Sequence, residues 1–238
     1  MEQSSAGGVI TTPNTKGLSM RGLIEVFYKP AAFFEQLKSD PKILVPYIAL
    51  AILMAVFFIL SVDLIVKMQM ESPEFQERMQ GQQLTPGILK FMKFSIMGGG
   101  LFSMLLVPLI AAGFAMLFGN FVMAGQARFK QILSVTLYAS LIWAFGSVVL
   151  LPLMLAKGSM LVSMSLAVLV ADQGFDSLAY IALSKIGLFY IWEIIVAGIG
   201  FAAIYNFPRN KGYWLAVLSV GLLSILHVAF TAVSKSIL

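Results

Sequence analysis

The chain has no cysteine, a single histidine and few charged residues. Its 238 residues include no Cys and one His, and only 11% are Asp, Glu, Lys or Arg. Without cysteine there is no disulfide, no thiolate nucleophile and no Cys-ligated metal or iron–sulfur site. One histidine also excludes the two-histidine zinc-protease motif and most metal sites. The sequence therefore predicts no cofactor and no metal, and it indicates a protein that is not an enzyme.

Long uncharged runs are what the sequence does have. Soluble domains carry about 25% charged residues, more than twice the fraction found here. No charge occurs between Lys93 and Arg128, or between Lys130 and Lys157. Since a helix of about 20 mostly apolar residues crosses the roughly 30 Å hydrocarbon core, we predict an all-α, polytopic integral membrane protein with five transmembrane helices. The predicted spans are about 43–66, 90–118, 131–155, 185–205 and 213–233.

The segments outside these runs differ in composition. Residues 1–17 are polar and rich in Ser, Thr and Gly, which is typical of a disordered tail. Residues 18–42 carry apolar side chains at helical spacing, and we predict short amphipathic helices that lie in the membrane interface or pack under the bundle. Within the remaining membrane domain, 43–235, residues 159–171 are apolar but too short to cross, which predicts an interfacial or re-entrant segment.

The loops differ in charge, which indicates an orientation. The two short loops, 119–130 and 206–212, are basic and contain no acid. Because loops rich in Lys and Arg tend to stay in the cytoplasm, we expect the N-terminus inside and the C-terminus outside. The basic residues are scattered and form no stripe, so we expect no nucleic acid partner. The net charge of +5 instead suits the anionic surface of a lipid bilayer.

Four stretches carry a resemblance to a known family. They are FYKPAAFFEQLKSDPKILVPY (27–47), GQARFKQILSVTLYASL (125–141), SLAVLVADQGFDSLAYIALSKIGLFYIW (165–192) and GFAAIYNFPRNKGYWLAVL (200–218). In this order they resemble the Yip family of Ypt/Rab-interacting membrane proteins and its bacterial relatives. The resemblance implies structural roles for eight positions: Pro30, Phe33, Pro41, Gly125, Phe129, Tyr138, Trp192 and Gly198.

The chain also departs from the family pattern. Bacterial members usually have a proline after the YASL-like stretch, where this chain has Ile142. Eukaryotic members carry a Pro- and Gln-rich cytosolic tail and an Asp-Leu-x-Gly-Pro motif, neither of which is present, so Rab binding is not carried over. The resemblance thus implies a prokaryotic-type member with five spans in the cytoplasmic (inner) membrane, and it implies no established activity.

Glu193 and His227 are the candidate functional residues inside the predicted spans. Ionisable groups in a membrane span are costly and tend to be functional. Each lies eight residues from a lysine at the outer boundary, roughly 12 Å along a helix. Because a short turn joins the fourth and fifth spans, the two side chains could form a pair or share a water-filled cavity. The alternative places Glu193 near the interface, solvated or bonded to Tyr190 or Trp192.

One further pair of charges has a structural interpretation. Asp63 and Lys67 lie one helical turn apart near the outer end of the first span. Opposite charges at this spacing attract on a helix surface. We therefore predict an i,i+4 ion pair between them.

Two functions are consistent with the sequence. The first is a non-enzymatic membrane protein that binds membrane partners or organises the bilayer, as the resemblance and the absence of a catalytic motif suggest. Its partners would be lipids and a membrane protein or a second copy of the chain. The alternative is a small transporter, channel or lipid scramblase that uses Glu193 and His227. A serine–histidine pair with His227 remains open, but no serine is placed beside it.

Overall fold

The computed structural model describes residues 15–79, 85–174 and 177–237, and these residues are helical with no strand. Five of their helices are long and apolar enough to cross a membrane, which confirms the predicted all-α polytopic fold. The helices are α1 (Thr15–Tyr28), α2 (Pro30–Leu37), α3 (Leu44–Glu71), α4 (Pro73–Met79), α5 (Pro86–Met116), α6 (Phe129–Lys157), α7 (Leu178–Ser184), α8 (Leu188–Tyr205), α9 (Arg209–Ala216) and α10 (Leu222–Ile237).

The crossing helices match the predicted spans one to one, with different ends. They are Leu44–Glu71, Pro86–Val122, Phe129–Lys157, Leu188–Tyr205 and Arg209–Val233. The second begins earlier than predicted because the Thr85 hydroxyl accepts the Ile88 N–H and Pro86 fits the first turn. It also ends later, since wider π-helical turns follow α5.

The two ends of the fourth span are set by local backbone structure. Its predicted start at 185 is three residues too early, because Ser165 and Gly187 form an antiparallel bridge just before α8. Asn206, with φ of 55°, ends α8 in the left-handed conformation that asparagine tolerates. Pro208 then precedes α9. The fifth span therefore begins at Arg209 and not at the predicted residue 213.

The two N-terminal helices form a hairpin against the bundle. α1 begins at Thr15, so residues 15–17 belong to a helix and not to the predicted tail, whose other residues lie outside the described ranges. Pro30 occupies the first turn of α2. α1 packs on α3 and α6, whereas α2 packs on α8. Phe33 and Phe34 of α2 are buried in the core, so the hairpin is part of the folded bundle.

The bundle has two distinguishable ends. We call the end that carries Arg128 and Arg209 the basic end. The opposite end, where Ser165 pairs with Gly187, is called the far end. Met68, in the last turns of α3, also lies at the far end, where its sulfur contacts the Met160 N–H at 3.1 Å.

The segment 159–171 crosses the far end of the bundle. Gly158, with φ of 61°, ends α6, and the chain then passes over Met68. A 3₁₀ helix, Leu166–Gln173, follows and leaves Val168 and Leu169 exposed by 57% and 73%. The segment thus leaves apolar side chains exposed at the far end of the bundle, and the interfacial and re-entrant alternatives both stay predictions.

The predicted ion pair between Asp63 and Lys67 is wrong. Asp63 pairs with Lys93 of the neighbouring α5, at 2.5 Å, and Lys67 pairs with Glu71, at 3.9 Å. α3 and α5 pack along each other, which brings Lys93 beside Asp63. The contact between the helices thus replaces the contact within one helix.

Candidate functional site

Glu193 lies inside the bundle, in the contact between α6 and α8. Its side chain belongs to α8 and is only 8% exposed. The Ser140 hydroxyl of α6 donates to Glu193 Oε1 at 3.0 Å. Since a buried carboxyl without a hydrogen bond is costly, Ser140 stabilises Glu193 where it is. This hydrogen bond also links two of the crossing helices.

The predicted partner of Glu193 lies in a helix whose side chains are only partly described. His227 belongs to α10, but its side chain is outside the described part of the structure. The pair with Glu193 therefore stays a prediction. The Tyr190 hydroxyl, one turn from Glu193, donates to the Val220 carbonyl at 3.1 Å and also contacts Ser224. These contacts hold the fifth span beside α8 near the level of Glu193.

A small cavity with a mixed polar and apolar lining adjoins this region at the far end. Its volume is about 200 Å³, and it lies between α6, the start of α8 and the segment that joins them. Hydroxyl groups and one ammonium group line part of it, and apolar side chains such as Met154, Val162 and Phe189 line the rest. The polar lining residues are Ser147, Ser163, Ser165, Tyr180, Ser184, Lys185 and Tyr190.

Lys185 is the charged residue of the cavity. Burial lowers the pKa of Lys185, and the nearby Glu193 carboxylate partly opposes this shift. The Lys185 ammonium lies 6.0 Å from the centre of the Tyr190 ring, a cation–π distance. The cavity can thus hold a small polar group between an ammonium and several hydroxyls. No group of three His, Cys, Asp or Glu that could bind a metal occurs among the described residues.

We expect Ser140→Ala to destabilise the fold by about 1–2 kcal/mol, because Glu193 would lose a hydrogen bond in a buried site. Ser147→Ala is a matched control. Ser147 is on the same helix, but its hydroxyl donates to the Trp143 carbonyl one turn away and not to another helix. Denaturant unfolding in detergent micelles would measure both variants. Equal stability of the two would contradict a stabilising role for the Ser140–Glu193 bond.

The family-like aromatic positions meet where the hairpin packs on the bundle. The Phe33 ring of α2 lies 4.7 Å from the Tyr138 ring of α6. The Trp192 ring of α8 lies 5.7 Å from the Phe27 ring of α1. Both distances join ring centres and are typical of edge-to-face pairs. The hairpin is therefore held to α6 and α8 by aromatic contacts.

The other family-like positions lie at helix ends and close approaches. The Gly125 N–H donates to the Gly119 carbonyl at 2.8 Å. Gly198 faces Tyr213, and a Cβ there would lie 2.4 Å from that ring. The remaining positions are at helix boundaries: Pro30 begins α2, Pro41 lies between α2 and α3, and Phe129 begins α6.

Sequence reasoning missed the hydroxyl groups of α6. Ser134 donates to the Lys42 carbonyl at 2.6 Å, and Thr136 donates to the Pro108 carbonyl at 3.1 Å. Together with Ser140, they connect α6 to three neighbouring segments. The sequence indicates such bonds, because three serine or threonine side chains within seven residues of a membrane span suggest hydrogen bonds between helices. The sequence could not assign a partner to each.

The comparisons with known proteins agree with this architecture. The Yip1 domain model matches residues 24–231, which extend from α1 through the first four crossing helices and most of the fifth. No curated protein and no solved structure matches the chain. The expected Yip resemblance is thus confirmed over nearly the whole chain, and the protein, an integral membrane protein with five crossing helices, belongs to the Yip1 domain family.

Proposed function

We propose that the protein is a non-enzymatic membrane protein that organises the bilayer, and that its α1–α2 hairpin enters one leaflet from the basic end. The observation that carries this proposal is how far the C-terminal end of α1 lies from the basic end, along the crossing helices. Orientation by the positive-inside rule would make this the cytoplasmic leaflet.

The C-terminal end of α1 lies deep along the crossing helices. The Phe27 ring centre is 5.2 Å from that of Phe145 and 5.7 Å from that of Trp192. Phe145 is 14 residues beyond Gln131, and Trp192 is 14 residues before Asn206. Each distance corresponds to about 21 Å along a helix. The 29 residues of α6 make a helix about 43 Å long, which matches a bilayer of about 40–45 Å with its headgroups. At about half this length from the basic end, Phe27 would lie near the middle of the bilayer.

The second helix of the hairpin returns to the basic end. Gln131, near the start of α6, donates to the Lys38 carbonyl at 2.9 Å. The Lys38 ammonium donates to Asn206, which ends α8. These bonds place residue 38 at the level of the basic end, whereas Phe27 lies deep. The hairpin thus enters and leaves at one end and would displace lipid from one leaflet only.

The turn of the hairpin carries a charge that would disturb the surrounding lipid. Lys29, between α1 and α2, is exposed, and its ammonium lies 5.4 Å from the Tyr28 ring centre. A charge at such depth is accommodated by snorkelling, local thinning of the bilayer and entry of water. A wedge in one leaflet and a thinned bilayer beside it both favour curved membranes, which supports a role in organising the bilayer.

We expect the reconstituted protein to be several times denser on small, highly curved vesicles than on large ones. Lys29→Leu should reduce this preference, because leucine needs no thinning of the bilayer. Lys90→Leu, the same change at an exposed position of α5, should leave it unchanged. Fluorescence of labelled protein on tethered vesicles would measure the density at each size. Equal density at all sizes would contradict the proposal.

A transporter or scramblase is the second candidate, and buried Glu193 beside a hydroxyl-lined cavity favours it. The cavity lies at the far end of the bundle. Nearer the basic end, the contact between α6, α8 and the hairpin is filled by the buried side chains of Phe34, Val135 and Phe201. Proton or lipid flux in the same vesicles would test this candidate. Flux that falls in Glu193→Gln, but not in Glu35→Gln at the exposed surface of α2, would support transport over a structural role.

A further inference from the structure

We infer that the groove between α1, α3 and α6 binds one acyl chain of an anionic phospholipid, and that Arg21 binds the phosphate of its headgroup. The inference rests on the membrane insertion of the hairpin proposed above. It adds a lipid class and a site to that function.

The groove is large and apolar. Its volume is about 650 Å³, within the range of roughly 300–1,000 Å³ that is usual for ligand pockets. One wall of the groove contains Ile24 and Phe27 of α1, and a second wall contains Leu53 of α3. The floor contains Leu141 and Phe145 of α6. No charged or amide side chain lines it. A polar ligand would therefore lose its hydrogen bonds on entry, whereas a hydrocarbon chain would not.

The position of the groove makes a lipid chain its occupant. Phe27 and Phe145 are the residues whose contact places α1 deep beside the crossing helices. The rim is continuous with the outer surface of the bundle, since Ile24 and Ile52 are exposed by 67% and 59%. At this depth the surrounding medium consists of acyl chains. Dispersion contacts with three helices would then hold one chain more tightly than its neighbours.

Arg21 supplies the preference for a negative headgroup. It precedes Phe27 by six residues on α1, about 9 Å nearer the basic end. Helical side chains lean toward the helix N-terminus, so an arginine there extends toward the headgroup layer. Arg21 is exposed and belongs to none of the ion pairs that the structure describes. A guanidinium binds phosphate oxygens in pairs. Glu25 lies one turn deeper and would keep the phosphate at the level of Arg21.

Quenching of Trp192 fluorescence by brominated lipid would test the site. The centre of the Trp192 ring lies 5.7 Å from that of Phe27, and Phe27 lines the groove. The background is Trp143→Phe with Trp214→Phe, which leaves Trp192 as the single tryptophan. The probes are phosphatidylglycerol and phosphatidylcholine with dibrominated chains, in otherwise identical nanodiscs. We expect phosphatidylglycerol to bind about fivefold more tightly, the effect of one basic residue at an anionic surface.

Two variants separate the chain site from the headgroup site. Ala49→Phe fills the groove and should weaken binding of both lipids about tenfold. Ile59→Phe, at an exposed position further along α3, should not. Arg21→Gln should abolish the preference for phosphatidylglycerol, whereas Arg209→Gln, at the basic end but outside the hairpin, should keep it. Quenching that is unchanged in Ala49→Phe, or a preference that persists in Arg21→Gln, would overturn the inference.

A separate measurement distinguishes failure of the site from failure of hairpin insertion. Because the chain has no cysteine, Tyr28→Cys in the Lys29→Leu variant introduces a single thiol at the deep end of α1, without the water that Lys29 would draw to it. In intact nanodiscs this thiol should resist a water-soluble maleimide, whereas Ser39→Cys, beyond α2, should react. Rapid labelling at residue 28 would refute insertion and with it the proposed function. Protection at residue 28 with unchanged quenching in Ala49→Phe would refute the lipid site alone.

Discussion

Replacing Gly212 by alanine should destabilise the protein by about 3 kcal/mol, the upper part of the range for overpacked cores. A Cβ at this position of α9 would lie 2.3 Å from the carbonyl oxygen of Gly198 and 2.9 Å from the backbone nitrogen of Ala202, both in α8. Backbone atoms cannot rotate away as a side chain end can. The two helices would have to separate along the contact that joins the fourth and fifth spans. Denaturant unfolding in mixed micelles would measure the loss.

Gly113→Ala is the matched control and should have the opposite sign. Gly113 also lies within a helix, α5, but a Cβ there would meet no atom within 4 Å. Alanine is favoured over glycine in a helix by up to about 1 kcal/mol, so this variant should be as stable as the parent or more so. If Gly212→Ala were also neutral, α8 and α9 would not pack as closely as the structure shows.

The contrast between these two glycines shows what the sequence can predict here. Uncharged runs of membrane length predict five spans from composition alone, because the bilayer imposes its thickness on every chain. Gly113 lies within an apolar run, whereas Gly212 follows Arg209 and Lys211 in a stretch that the sequence predicts as a basic loop. Neither setting reveals a close approach to another helix. The difference depends on which helix lies opposite. The number of spans was therefore predictable, and the close approach of α9 to α8 was not.

The same limit applies to the candidate site. Glu193 is conspicuous in the sequence because it is an acid within an apolar run. Its hydrogen-bond donor, Ser140, is 53 residues away, and serine is common in membrane helices, so the sequence does not single it out. Asp63 likewise had a lysine at helical spacing, yet it pairs with Lys93 across a helix contact. Local spacing predicts partners within one helix, and contacts between helices override it.

Phe33→Ala should destabilise the fold by about 3–5 kcal/mol, the usual range for removing a buried phenylalanine. The Phe33 side chain is 1% exposed. Its ring centre lies 4.7 Å from Tyr138 and 5.2 Å from Phe34. A Cβ on Gly22 of α1 would approach the Phe33 ring to 2.4 Å, so this ring also fills the space between α1 and α2. Alanine would leave a cavity where the hairpin meets α6, and the hairpin would detach more readily.

Detachment of the hairpin from the bundle can be measured separately from global unfolding, by limited proteolysis with trypsin. Trypsin cleaves after arginine and lysine unless proline follows, so the hairpin offers the bond after Arg21, whereas the Lys29–Pro30 bond resists. In Phe33→Ala the bond after Arg21 should be cut faster than in the parent, because the undocked hairpin leaves the bundle. Phe94→Ala is the matched control, because it removes the same side chain from the outer face of α5, where the Phe94 ring is 75% exposed. Lipid would replace the lost contacts. The stability and the cleavage rate of this variant should therefore stay near those of the parent. If Phe33→Ala and Phe94→Ala had the same stability and the same cleavage rate, Phe33 would not hold the hairpin to the bundle. The aromatic contacts between Phe27, Phe145 and Trp192 would then have to hold it alone.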